Sequence, residues 1–467
     1  MKIKYTLLIV VLNAFVSLQS FGQSSYADTT FTNYFRETHG FIAGDATISI
    51  ALPNGKSMFL FGDSHINDLD TSNNTIPCLF QVHNCFTILD SADPNHMKTY
   101  IDTTKSGVNQ TYFKIGTVGN SWFWPDHGFV RGDTVYVFLG KYNSLLAFLG
   151  QYIAKVTLHD FTLVSMTRLP DMNGIIFGKA VIYNPDDDKY YLYGNKVNWI
   201  VYEPYVARTS FDNLMSGAWE FYTGSDWSSS ANAAKKISNQ VVSPTFGVVR
   251  DKDFYYIITQ ENGYLTCGLG RNIYAYKSSG PTGPFTNQIL LYTIEDQLFG
   301  HYMLTYNAFP HPEWTKNNEL LISYNLNDKV DTTGTDACPS QCKNVFRDHF
   351  DPDTYRPKFI RVPLSLLEEN GLITSAFKLI AKAIIPNVLD LTLEPALPQS
   401  CRISIFNKMG KVVYESEILQ MQAGVNHFQI ATNQFPPDIY VVAVNSVFTN
   451  NQVPAQWERK TFLKVDN

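Results

Sequence analysis

Thr47-Ile48-Ser49-Ile50-Ala51-Leu52, a Pro53-Asn54-Gly55-Lys56 turn, then Met58-Phe59-Leu60-Phe61-Gly62-Asp63 read as a β-hairpin, entered from Gly44-Asp45-Ala46 and ending on a polar tip. The runs are short, rich in β-branched and aromatic residues, and bounded by Pro, Asn and Gly, which is strand-and-turn chemistry. The unit returns four times. Its tips are Val137-Phe138-Leu139-Gly140, Tyr191-Leu192-Tyr193-Gly194, Ile257-Ile258-Thr259-Gln260-Glu261 and Ile322-Ser323-Tyr324-Asn325. Its lead-ins are Trp124-Pro125-Asp126-His127-Gly128, Phe177-Gly178-Lys179-Ala180, Ser243-Pro244-Thr245 and Tyr306-Asn307-Ala308. Repetition of a sheet-sized unit at intervals of roughly 50 to 80 residues marks a radial array of small antiparallel sheets. The sequence therefore predicts an all-β chain: a five-bladed β-propeller over residues 24–380, followed by a small C-terminal β-sandwich over 385–467.

Composition agrees. Of 467 residues, 45% are hydrophobic, 14% aromatic and only 17% charged, a bias that suits pleated, half-buried surfaces and excludes a disordered or coiled-coil protein. A net charge of -6 supplies no basic field for nucleic acid. Met1-Lys2-Ile3-Lys4, the apolar run Tyr5 to Leu18, and Ser20, Gly22 and Gln23 read as a signal peptide over residues 1–23. The apolar run is short for a membrane span, so export with cleavage is expected, to a secreted or cell-surface location with no transmembrane segment retained. The six cysteines lie in the exported part, where disulfides persist. Spacing predicts a local Cys338–Cys342 bridge and a second close pair, Cys78 and Cys85, leaving Cys267 and Cys401 as buried thiols. Paired CxxC sets, the mark of a zinc site, do not occur.

In such an array the lead-ins and tips converge at one mouth of the central channel. Asp45 and Asp126 occupy equivalent lead-ins, and Asp63 and Glu261 equivalent tips. Glycoside hydrolysis needs two carboxyl groups, one protonated to donate and one ionised to attack or to activate water. These four are the candidate catalytic residues. Asp also caps its own turns, the competing account of Asp63; Asn262-Gly263 explains a turn but not Glu261, a candidate acid. His301, Asn307, His311, Glu313 and Asn325, with Trp122, Trp124, His127 and Tyr264, offer the amides, imidazoles and aromatic planes that sugar recognition uses. Arg271 and Lys179 are candidate partners for an acidic sugar or for a carboxylate. His311-Pro312-Glu313 alone is a weak metal motif, so no cofactor is expected beyond a structural cation in the channel.

Gly44-Asp45-Ala46-Thr47 through Phe61-Gly62-Asp63-Ser64, with His83-Asn84, Trp124-Pro125, Tyr306-Asn307-Ala308, His311-Pro312-Glu313 and Ser323-Tyr324-Asn325, resembles a family of bacterial five-bladed propellers whose wider group includes endo-D-arabinanases. The strand holding Arg208 and the Gly280 to Phe285 segment are similar to blade ends of arabinanase, xylosidase and invertase propellers. The resemblance spans most of residues 41–365 and implies a glycosidase acting on a furanoside-containing polysaccharide, with a catalytic role most directly on Asp45. Those enzymes usually carry a Glu in blade three, where Phe177-Gly178-Lys179-Ala180 has none. Pro386-Asn387, Ile405 to Val413, Ile439-Tyr440-Val441-Val442 and Lys460-Thr461-Phe462-Leu463-Lys464 resemble, in order, the sorting domain of the type IX secretion system of Bacteroidetes-like bacteria. The pattern departs at Val388, where Pro is typical, and at Asp438, where Gly is. The resemblance implies that machinery as a partner. A non-catalytic glycan-binding propeller is the competing reading: it keeps the aromatics, His and Asn and needs no paired acids. A metal-dependent phosphodiesterase or lactonase would need several ligands meeting on the axis.

Overall fold

The computed structural model describes residues 24–464 except 117–118, 199–200, 262–269, 331–339, 369–377, 385–387, 395–398, 408–410, 423 and 448–456. The leader, Tyr264, Cys267, Cys338, Pro386-Asn387 and the Lys408-Met409-Gly410 turn lie outside the described residues.

Five antiparallel sheets follow one another along the chain, each built from its inner strand outward. Sheet one is Ile48–Ala51, Lys56–Phe61, Cys85–Asp90 and Asp93–Tyr100; sheet two is Ser121–Arg131, Thr134–Asn143, Phe148–Thr157 and Leu163–Arg168. Sheet three begins with Ile176–Asn184, Lys189–Asn198 and Val201–Thr209, and sheet four is Gly247–Asp251, Phe254–Gln260, Asn272–Ser278 and Thr286–Thr293. Sheet five runs His301–Lys316, Glu319–Val330 and Lys358–Pro363, and its outer strand is Tyr26–Ala27 from the start of the chain. Tyr26 pairs with Arg361 and Ala27 with Ile360. Asp28 then caps the helix Thr29–Asn33 through the Phe31 N–H and accepts from Arg361 Nε at 2.8 Å. The N-terminal segment, read as a linker or edge strand, thus covers an edge that would otherwise stay unpaired.

The second strand of each sheet is apolar on both sides because both faces are buried. Val137 and Leu139 pack towards sheet one and Phe138 towards sheet three. Tyr191 and Tyr193 pack towards sheet four and Leu192 towards sheet two. Ile257 faces sheet three and Ile258 faces sheet five. Side chains alternate across a strand, so each sheet contributes to two clusters. A cluster also lies between sheets five and one, where Leu321 and Phe359 meet Phe59, Phe61, Phe31 and Phe35. Each inner strand touches the next, and the inner strand of sheet five touches that of sheet one.

The cysteine pairing differs from the local expectation. Cys78 is bonded to Cys342, 264 residues away with a Cα–Cα distance of 5.7 Å, beside a two-residue pairing of Ile76–Pro77 with His349–Phe350. Sequence spacing cannot report this pairing, because sheets one and five become neighbours only in the assembled chain. Cys85 instead opens the third strand of sheet one as a buried free thiol among Phe59, Phe61 and Phe359, and burial pushes it up to about 12. Cys401 is likewise a buried free thiol. Replacing Cys78 and Cys342 together by Ser is expected to cost roughly 2–4 kcal/mol, the usual worth of a long-range crosslink. A denaturant midpoint equal to that of the oxidised protein would show that the bridge constrains nothing.

Beyond Ile384, Val388–Glu394 pairs with Lys378–Ile384 and Asn426–Ala431, while Gln399–Asn407 pairs with Val412–Glu415, Leu419–Met421 and Asp438–Val447. Leu389, Leu391, Leu393, Cys401, Ile403, Ile405, Tyr440, Val442 and Val444 share one cluster between these two sheets. Among the described residues no helix is long and apolar enough to cross a membrane.

Candidate active site

Asp45 precedes the inner strand of sheet one, and the next two residues, Ala46 and Thr47, have φ of 72° and 51°. Two left-handed non-glycine residues in a row are costly and persist only where the surroundings over-determine them. Here the support comes from sheet five. Asn325 Nδ2 donates to Thr47 Oγ1 at 2.9 Å and to the Gly44 carbonyl at 3.3 Å, and Ser323 Oγ donates to the Thr47 carbonyl at 3.2 Å. The turn lays Asp45 alongside the tip of the second strand: the Gly62 N–H donates to the Asp45 carbonyl at 2.9 Å. A Cβ at residue 62 would stand 2.3 Å from Asp45 Oδ1, so a larger residue there would displace that carboxyl.

Asp63 follows directly. Its Oδ1 accepts from His83 Nδ1 at 2.9 Å and from Trp124 Nε1 at 3.0 Å, and its side chain keeps 17% of its surface exposed. Tyr306 Oη donates to Asp45 Oδ2 at 3.4 Å, and Tyr355 Oη donates to the Asp63 carbonyl at 3.2 Å. Burial, and then the charge of Asp63 beside it, push the Asp45 carboxyl up to about 8, against hydrogen bonds that include those of Tyr355 and Tyr306. One wall of the site is aromatic. The His83 ring lies face to face on Trp122 at 4.2 Å, Trp122 meets Trp124 edge-on at 5.7 Å, and Trp124 tilts against Tyr142 at 4.8 Å.

The inner strands of sheets two, three and five each carry a bulge at the level of this turn, between Pro125 and Gly128, Phe177 and Ala180, and Tyr306 and Phe309. Bulges re-aim side chains near functional sites. In sheet three the bulge depends on Gly178, whose φ is +86° and where a Cβ would lie 2.3 Å from Phe138. It turns Lys179 onto Asp126: Nζ and Oδ1 are 2.6 Å apart, with both side chains less than a tenth exposed. Burial raises the Asp126 carboxyl and Lys179 opposes that rise. The sheet-three lead-in therefore presents the cation of a buried ion pair.

The other sequence candidates separate. Glu261 is saturated within sheet four, accepting from the Asn272 N–H at 3.3 Å, Asn272 Nδ2 at 2.9 Å and Tyr274 Oη at 2.9 Å. Arg271 donates to Glu295 at 2.6 Å and stacks 3.4 Å above Tyr302. His301 is exposed at the start of its strand, and Asn307, with φ of 59°, forms the sheet-five bulge. His127 accepts from the Val181 N–H at 3.0 Å, and burial lowers it to about 4. His311 and Asn325 are fully buried, which corrects their expected contact with a polysaccharide. Asn325 braces the strained turn from behind, and His311 Nδ1 bonds Ser49 Oγ at 2.7 Å. Burial raises the Glu313 carboxyl beside Ser49 and Ser57.

The fold thus gathers Asp45, Asp63 and Trp124, and adds His83, Tyr306 and Tyr355, to which sequence reasoning had assigned no role. Tyr306 occupies a lead-in and His83 the motif His83-Asn84, but nothing in their spacing reports that they face Asp45 and Asp63. A separate cavity of about 480 Å³, lined by Tyr292, Asp296, Tyr324 and Lys358 beside the N-terminal helix, includes neither carboxylate of the pair. Among the described residues no three His, Cys, Asp or Glu side chains gather as a metal-ligand set.

Among solved structures, the chain is similar to a presumed hydrolase from Bacteroides ovatus, at 20% identity over 74% of this chain and 92% of that one, with a TM-score of 0.58; this is a likeness of fold. A family-43 arabinoxylan arabinofuranohydrolase from Bacillus subtilis aligns over 94% of this chain and 99% of its own, at 13% identity and a TM-score of 0.39. An exo-1,5-α-L-arabinanase from a bovine ruminal metagenomic library aligns over 69% and 93%, at 9% identity and a TM-score of 0.39. No protein of curated function matches the sequence. Residues 28–373, which hold all five sheets except the outer strand Tyr26–Ala27, match the domain of unknown function DUF5005, and the chain belongs to that family.

Proposed function

We propose that the five sheets close as a five-bladed β-propeller and that the protein is an exported glycoside hydrolase acting on a furanoside-containing polysaccharide. The cyclic contact of the inner strands and the cluster between sheets five and one support closure. The observation that carries the activity is the Asp45–Asp63 pair: two adjacent carboxyl groups in unlike surroundings, beside an aromatic wall. Asp45 stays protonated to about pH 8 and donates its proton to the leaving glycosidic oxygen. Asp63, its Oδ1 anchored by two N–H donors, acts through Oδ2 as the base or nucleophile. Environments that set two carboxyls apart in this way define acid and base. The Asp126–Lys179 pair supports the channel mouth electrostatically, and Glu261 braces sheet four. The signal peptide and the C-terminal strands, acting as a type IX sorting domain, direct the chain to the cell surface or medium.

The test is reducing-sugar release from arabinans and other furanoside polysaccharides by the wild type and by Asp63→Asn. Loss of a reacting carboxylate is expected to lower kcat by about 10³-fold or more, as for other members of a catalytic unit. Equal turnover by both proteins removes Asp63 from the chemistry. Binding of a glycan by the wild type without cleavage of any would instead favour the glycan-binding reading, which the aromatic wall also serves.

A further inference from the structure

We propose that His83 is the positioning residue of Asp63, and that its second ring nitrogen, Nε2, binds a hydroxyl of the sugar at the scissile bond. This role rests on Asp45 and Asp63 being the reacting pair. A carboxylate can only accept, so the 2.9 Å contact makes Nδ1 the donor. Trp124 Nε1 shares the same Oδ1, and neither donor engages Oδ2. The oxygen that must reach the sugar is left open while its twin is held.

The imidazole itself is fixed from several directions. Its face lies on Trp122 with an interplanar angle of 6°, and Phe80 meets it edge-on at 5.1 Å. The backbone N–H of His83 donates to Thr111 Oγ1 at 3.1 Å. On one side, Val82 is paired with Ser64. On the other, Asn84 is buried, donating to the Phe123 carbonyl at 2.7 Å and accepting from the Phe113 N–H at 2.7 Å. Nε2, across the ring from Asp63, has no hydrogen-bond partner among the described residues, and the side chain is 24% exposed.

Three variants and one spectroscopic measurement test this. His83→Phe keeps the ring on Trp122 but loses the donor; kcat should fall about 100-fold, the order expected when a reacting group is misplaced. His83→Asn returns an amide N–H near the place of Nδ1 and should recover most of kcat, while KM stays several-fold raised for want of Nε2. Melting temperatures should match the wild type for both. A His83→Phe enzyme at wild-type kcat, or a His83→Asn enzyme no better than His83→Phe, overturns the proposal. Independently of turnover, ¹⁵N NMR of the full chain should show His83 in the Nδ1–H form, and Asp63→Leu, which removes the acceptor, should release that preference. An Nε2–H ring in the wild type sinks the proposal even if the hydrolase reading stands. A wild type that cleaves no glycan yet keeps the Nδ1–H signature defeats the hydrolase reading and, with it, the role of Nε2 at the scissile bond, and leaves only the His83–Asp63 bond standing.

Discussion

Asp45→Asn is expected to leave less than about a thousandth of the hydrolytic rate and yet to raise the melting temperature, more at pH 8 than at pH 5. The cause is proton linkage. The Asp45 carboxyl ordinarily titrates at 3.8 and is pushed up to about 8 in the folded protein, so between about pH 4 and 8 the folded state holds a proton that the unfolded chain has released. Its contribution to stability is complete below the lower value, declines as pH rises, and is lost through pH 8. An amide of the same shape carries no charge at any pH and escapes that decline. A tenfold change in proton affinity is worth about 1.4 kcal/mol; with solvent screening at a half-buried site, the gap at pH 8 should be on the order of 3 kcal/mol, or a few degrees. Thermal melts of both proteins at pH 5 and 8 check it. A variant that is less stable at pH 8, or a gap that does not widen with pH, would mean that Asp45 is a braced turn residue and not a carboxyl held against its charge.

Lys179→Met is expected to cost about 3–5 kcal/mol at pH 8, because it strands the Asp126 carboxylate without its cation in a buried place. The cost should shrink as pH falls, since burial already raises that carboxyl and the unpaired group will take up a proton instead. Replacing both partners, Asp126→Leu with Lys179→Met, should restore stability to within about 1–2 kcal/mol, as apolar substitutes for buried ion pairs commonly do. Urea midpoints of the single and double variants at pH 5 and 8 measure this. Wild-type stability of the single variant would refute the buried pair. A stable double variant with undiminished turnover would remove Asp126 from the catalytic candidates altogether.

Much of the fold was legible because burial on both faces leaves a direct mark. Phe138, Leu192 and Ile258 sit in apolar runs whose neighbours face the opposite cluster, and Pro53 to Lys56, Asn184 to Asp188 and Arg250 to Asp253 are turn chemistry between paired strands. The site was legible only in outline. Asp45 and Asp63 could be named as polar groups at strand ends, but Glu261 holds the same formal position in sheet four and is consumed by Asn272 and Tyr274. Which tip residue remains open depends on its neighbours across strands, and those come from registers that a single sequence does not print. The bulges that aim Asp126, Lys179 and Asn307 are likewise changes of one or two residues in pairing. Gly178, and Pro125 with Gly128, hint at an irregularity in their strands, but not at the register that results.

By itself the sequence determined the strands, their turns and their fivefold recurrence, because local propensity and period-two burial act over a few residues. The tertiary structure alone decided four things. It closed sheet five with Tyr26–Ala27 and tied Cys78 to Cys342. It set Lys179 against Asp126. It placed His83 and Trp124 on one oxygen of Asp63, with Asp45 alongside. Each joins residues far apart in the chain, and a contact of that kind exists only once packing has chosen which sheets are neighbours.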